Sequence, residues 1–114
     1  MTERLTKEKI RDLLASRFAE DECTKLSMMP SPHLFKDIEK AAKRIKTAIE
    51  NNESIAIVGY YDVDGVVSSV IVSEFFDDLG VDYTIRIPNR FTDGYGLNPQ
   101  IVEELDASLI ITVD

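Results

Sequence analysis

Apolar residues return at three- and four-residue spacing in three separate places along this chain, and gather in short strand-like segments in three others. Ile10, Leu13, Leu14 and Phe18 form the first periodic set, with Thr6 placed to cap the helix they predict. Met28, Met29 and Pro30 interrupt that pattern. A second helix is expected from Ser31-Pro32, with proline at its first position, carrying Leu34, Ile38, Ala41, Ala42, Ile45, Ala48 and Ile49 on one stripe and lysines and glutamates opposite. Asn51 and Asn52 close it. After Gly65, the set Val66, Val67, Val70, Ile71, Phe75, Phe76 and Leu79 predicts a third helix, stopped by Gly80. A fourth and shorter one is launched by Asn98-Pro99 and runs through Leu105.

The segments 54–58, 83–87 and 109–113 read as strands, the first apolar enough to be covered on both faces. The order after the first two helices is β-α-β-α-β. Right-handed crossovers then imply a parallel sheet and a three-layer α/β fold. All strand ends that carry loops fall on one rim. Residues 1–52 form an N-terminal helical segment and 53–114 the start of the sheet domain, the two expected to make one compact unit.

Chain length supports a single core, since 114 residues is the size of one ordinary domain. A hydrophobic content of 44% beside 30% charged residues is that of a globular domain, and no apolar run approaches the roughly 20 residues a membrane-spanning helix requires. The first residues lack the apolar core of a signal peptide. Cys23 is the single cysteine and has no internal disulfide partner, so a cytoplasmic location is expected. The formal charge of -8 speaks against phosphate-backbone binding by this chain alone, although metal sites that cut phosphodiesters are themselves acidic.

The candidate chemistry sits where the first strand ends. Asp62 and Asp64, spaced i, i+2 and closed by Gly65, can both turn toward one divalent cation, and Asp114 ends a strand expected on the same rim. Taken alone, Asp62 and Asp64 read as ordinary turn formers after a strand, and it is Asp114 and the 88–97 loop on the same rim that favour the metal. The loop Pro88-Asn-Arg-Phe-Thr-Asp-Gly-Tyr-Gly-Leu97 joins them at the rim, and Arg90 is a candidate phosphate partner there, with a surface ion pair as its plain alternative. Tyr95 either stacks on a base or packs the loop. His33 reads as solvent-facing, and Lys40, Lys43, Arg44 and Lys46 as a solvated helix face. No Gly-x-Gly-x-x-Gly follows the first strand, which excludes dinucleotide binding of that kind.

Gly59-Tyr-Tyr-Asp-Val-Asp-Gly65, Ile87-Pro-Asn-Arg-Phe-Thr-Asp-Gly-Tyr-Gly-Leu97 and Ile111-Thr-Val-Asp114, in that order, resemble the opening motifs of the DHH phosphoesterase superfamily, and within it the RecJ-type single-stranded-DNA exonucleases. The resemblance covers about half the chain. It implies degradation of single-stranded DNA from the 5′ end in repair and recombination, with Mn²⁺ or Mg²⁺ held by Asp62, Asp64 and Asp114 and with a single-strand-binding protein or helicase as partner. Tyr60 departs from it, standing where the family's first motif has an aspartate. The Asp-His-His motif that names the superfamily would follow Asp114, so residues 1–114 are expected to be an inactive N-terminal fragment.

Two other readings stay open on the residues. Tyr60 could mark a degenerate copy of the fold kept as a scaffold without catalysis. Alternatively, an apolar strand followed by Asp-x-Asp-Gly-Val also resembles the first motif of haloacid-dehalogenase-type phosphatases, in which Asp62 would be a nucleophile and Asp64 an acid/base.

Overall fold

A computed structural model describes residues 6–17 and 25–113. The chain divides into two units, residues 1–36 and 37–114. In the first, α1 (Lys7–Arg17) begins as expected at Thr6, whose Oγ1 accepts the Lys9 N–H at 3.3 Å. Phe18 and Cys23 lie outside the described residues. Two single 3₁₀ turns follow, Leu26–Met28 and Pro32–Leu34.

The second unit opens with α2 (Ile38–Glu50). The helix expected from Ser31-Pro32 therefore starts later: Pro32 opens only a 3₁₀ turn, Phe35 returns to extended backbone, and Asp37 adopts a left-handed φ of 59° before α2 begins. Leu34 is consequently 76% exposed and no part of the buried stripe. Ile45, Ala48 and Ile49 are part of it, packing on the sheet core.

Three parallel strands follow, β1 (Ile55–Val58), β2 (Thr84–Arg86) and β3 (Leu109–Thr112), in the spatial order β2-β1-β3. Ile57 pairs with Ile85 on one side and Ile111 on the other. As the central strand, β1 is buried at all four residues, which is why its sequence does not alternate. Ile55 and Ile57 face α2 and Phe76, with Leu109 and Ile111 beside them. The crossover helix α3 (Val63–Leu79) leads from β1 to β2, and α4 (Pro99–Leu105) leads back across β1 to β3. Right-handed connections in opposite directions put these two helices on opposite faces, giving the three layers expected. Asn98 caps α4 by accepting the Ile101 N–H at 3.0 Å, and Ile101 is buried.

The buried face of α3 is not its apolar stripe. Gly65, Ser69, Ser73 and Phe76 are the buried residues, whereas Val66, Val67, Val70, Ile71, Phe75 and Leu79 are exposed. Small side chains let the helix backbone approach the end of β1 closely. The buried hydroxyls cost little because each bonds within its own helix, Ser69 Oγ to the Gly65 carbonyl and Ser73 Oγ to the Ser69 carbonyl, both at 2.7 Å. Phe76 and Phe75 are adjacent in sequence, yet one is 1% and the other 55% exposed. Among the described residues no helix is long and apolar enough to cross a membrane.

Candidate functional site

The close approach of α3 brings its N-terminus to the carboxyl end of β1, and with it both candidate aspartates. Asp62 is the N-cap of α3, its Oδ1 accepting the Gly65 N–H at 2.9 Å. One carboxylate oxygen thus holds the helix start. Asp64 lies in the first turn of the same helix, and both side chains are exposed at the rim. Gly65 is required here for space: a Cβ at this position would lie 2.6 Å from the Tyr60 Cα and carbonyl oxygen.

Between the ends of β1 and β3 lies a cleft of about 510 Å³, lined by Val58, Gly59, Tyr60, Gly96, Leu97, Thr112 and Val113. Crevices outside the carboxyl ends of parallel strands are where this class of sheet binds its ligands. Asp114 lies outside the described residues, immediately after this lining.

The 88–97 loop is tied down by its own polar groups. Asn89 Oδ1 accepts the Phe91 N–H at 2.9 Å, and Asp93 Oδ2 accepts the Asn89 N–H at 2.7 Å. Asp93 also meets Arg86 Nη2 at 2.9 Å, and Arg86 reaches Glu104 of α4 at 3.4 Å. The Asn89 N–H holds the Asp93 carboxyl below the usual aspartate range, with Thr92 and Arg86 acting in the same direction. Asn98 Nδ2 donates to the Asp93 carbonyl at 2.8 Å, closing the loop onto the cap of α4. Gly94 and Gly96, at φ 78° and 75°, take the left-handed turns flanking Tyr95.

Tyr60 and Tyr61 meet this loop through ring contacts. Their rings stack with centroids 4.3 Å apart, and Tyr95 meets Tyr60 edge-on at 4.9 Å. Arg90 places its guanidinium carbon 4.9 Å from the centre of the Tyr61 ring. Burial first, then its hydrogen bonds to Tyr61 and Tyr95, push the Tyr60 phenol well above the ordinary tyrosine range. Tyr95 packs on Tyr60 at its edge while remaining 85% exposed.

Of the residues singled out from the sequence, Asp62, Asp64, Arg90 and Tyr95 all come to the strand-end rim. Reading the sequence missed Arg86 and Asp93, which organise the loop, and the aromatic cluster made by Tyr60 and Tyr61. The signal for Asp93 was available in Thr92-Asp-Gly94, a turn sequence whose carboxylate can cap backbone amides. As donors for a hard divalent cation, the Asp62 and Asp64 carboxylates are of the right chemistry. Tyr60, neutral and packed between two rings, is not. Among the described residues no three histidine, cysteine, aspartate or glutamate side chains gather into a metal site.

No family model matches the chain. It is 43% identical over 86 residues to the single-stranded-DNA-specific exonuclease RecJ of Bacillus subtilis, an alignment covering 73% of this chain and 11% of that protein. With the RecJ of Escherichia coli the identity is 39% over 83 residues, covering 68% of this chain and 14% of the relative. A crystal structure of exonuclease RecJ bound to manganese superposes on 79% of this chain and 23% of its own with a TM-score of 0.67, at 30% identity. The chain therefore spans only 11% and 14% of the length of these two curated relatives. Neither the scaffold nor the dehalogenase-type reading is favoured by these similarities.

Proposed function

We propose that this RecJ-type chain supplies the first part of a metal-dependent active site that degrades single-stranded DNA, with Asp62, Asp64 and Asp114 as metal ligands. The observation that carries this reading is the delivery of Asp62 and Asp64 by the β1–α3 junction to the same rim as the 88–97 loop. Mn²⁺ is the ion favoured for this chain, because the similar RecJ structure is one bound to manganese. Mg²⁺ is the alternative of the same hard-cation chemistry. When bound, such an ion supplies Lewis-acid polarisation of a phosphoryl oxygen and lowers the pKa of water.

The chain's own residues prepare this site in three ways. Asp62 uses Oδ1 on the Gly65 amide, which fixes its carboxylate and leaves Oδ2 to ligate. Asp64, two residues on in the first turn of α3, adds a second exposed carboxylate. Arg90, steadied over Tyr61, would pair with a substrate phosphate through its guanidinium fork. Digestion from the 5′ end in repair and recombination, a cytoplasmic place of action and a single-strand-binding protein or helicase as partner complete the proposal.

The test is Mn²⁺-dependent release of nucleotides from 5′-labelled single-stranded DNA by the intact protein beside its Asp62→Asn variant. Release by the natural protein that falls by at least roughly a hundredfold in the variant supports the reading, as expected for a lost metal ligand. Equal release by both would sink the assignment of Asp62.

A further inference from the structure

Tyr60 makes a set of contacts that the metal reading does not use. Its side chain leaves the end of β1 with 9% of the residue exposed and turns beneath the 88–97 loop. One face stacks on Tyr61 at an interplanar angle of 29°, and the Tyr60 hydroxyl donates to Tyr61 Oη at 3.0 Å. Tyr95 approaches the same ring from the loop at 64°. Tyr61 carries Arg90 on its own ring. Two separate points of the loop, Arg90 and Tyr95, are thus connected to β1 through one residue.

Apart from the Tyr60 hydroxyl's contact with Tyr95, the loop's polar bonds act elsewhere. Asp93, Asn89 and Arg86 secure its first half, and Asn98, just past the loop, holds the Asp93 carbonyl. Between them, Gly94 and Gly96 flank Tyr95 in left-handed conformations that side-chain-bearing residues avoid and that glycine adopts with little restraint. A Cβ at either position would meet nothing within 4 Å, so neither glycine is confined by packing. The ring contact at Tyr95 falls in this least restrained stretch. Gly96 and Leu97 also line the strand-end cleft together with Tyr60, so holding the stretch shapes the cleft's mouth.

We propose that Tyr60 is a positioning residue, an aromatic latch that holds Tyr95 directly and Arg90 through Tyr61 against the strand-end rim. It does this with its ring, at the place where the resembled family's first motif has a carboxylate. Order in the 94–97 stretch is thereby supplied by aromatic packing, and a carboxylate at position 60 would forfeit it. This inference concerns the loop's conformation and stands whether or not the rim cleaves DNA.

Amide hydrogen exchange of residues 94–97 in the intact protein tests it, with the β1 amides as a control for folding. Tyr60→Phe keeps the ring and should exchange within about twofold of the natural protein, whereas Tyr60→Leu and Tyr60→Asp should exchange roughly tenfold faster, the scale of two lost ring contacts. Tyr95→Ser removes the same contact from the exposed end. It should loosen 94–97 by several-fold with β1 still protected, and should alter the near-ultraviolet circular dichroism of the coupled tyrosines. Unchanged exchange in Tyr60→Leu with β1 protected would overturn the latch, as would a Tyr60→Phe variant as loose as Tyr60→Leu. Should Tyr60→Leu lose β1 protection as well, Tyr95→Ser decides alone: faster exchange supports the latch, and unchanged exchange and dichroism refute it.

Discussion

Arg86 Nη2 lies 2.9 Å from Asp93 Oδ2, joining the last residue of β2 to the middle of the loop that follows it. Six residues lie between the partners, and the loop is drawn back to the strand that launched it. The same carboxylate oxygen accepts the Asn89 N–H at 2.7 Å, so one side chain closes the loop twice.

Asp93 should therefore give the loop an acid-sensitive fastening. Its folded pKa lies below that of an unfolded aspartate, so the stabilisation is complete above the unfolded value and disappears as the pH falls through the folded one. Nuclear magnetic resonance titration between about pH 5 and pH 2 should show the Asn89 amide shifting with Asp93. In Asp93→Asn that shift should vanish; an identical titration in the variant would contradict the assignment.

Asp62 caps α3 and, on the proposed reading, also ligates the metal, and substitutions can separate the two. Asparagine caps helices as well as aspartate, so Asp62→Asn should stay within about 0.5 kcal/mol of natural stability while weakening Mn²⁺ binding. Asp62→Ala loses the cap as well and should cost roughly 1 kcal/mol more. Urea unfolding beside Mn²⁺ titration by electron paramagnetic resonance distinguishes the two. Equal stability of Asn and Ala variants would show that the Gly65 bond contributes nothing measurable.

Gly65→Ala should be destabilising through contact with backbone, which cannot swing away as a flexible side chain does. The added methyl meets the Tyr60 Cα and carbonyl oxygen at 2.6 Å. A loss of about 1–3 kcal/mol is expected, the range of overpacking, together with displacement of Asp62 and Asp64. Denaturant midpoints and Mn²⁺ affinity, measured on the same variant, should fall together.

Phe75 and Phe76 provide a contrast on one helix. Phe76→Ala opens a cavity among Ala48, Ile55 and Ile57 and should cost about 3–5 kcal/mol. Phe75→Ala, on the exposed side, should cost roughly 1 kcal/mol or less. Comparable losses at the two positions in thermal unfolding would show that something covers the Phe75 face in solution.

Sequence alone determined the elements and their order. Short strand-like segments marked β1, β2 and β3, Asn98-Pro99 marked the start of α4, and short crossovers left a parallel three-layer sheet as the outcome. It also placed Asp62, Asp64, Arg90 and Tyr95 at one rim, because strand ends in a parallel sheet share an edge. Tertiary structure alone decided which face of α3 is buried. Hydrophobic periodicity weighs how apolar a side chain is, whereas close helix-to-sheet packing at Gly65, Ser69 and Ser73 depends on how small it is. The start of α2 was likewise decided in three dimensions, by the left-handed turn at Asp37. So were the Arg86–Asp93 bridge and the Tyr60–Tyr95 contact, since residues far apart along the chain meet only once β1, β2 and the loop are assembled, and local pattern holds no record of those distances.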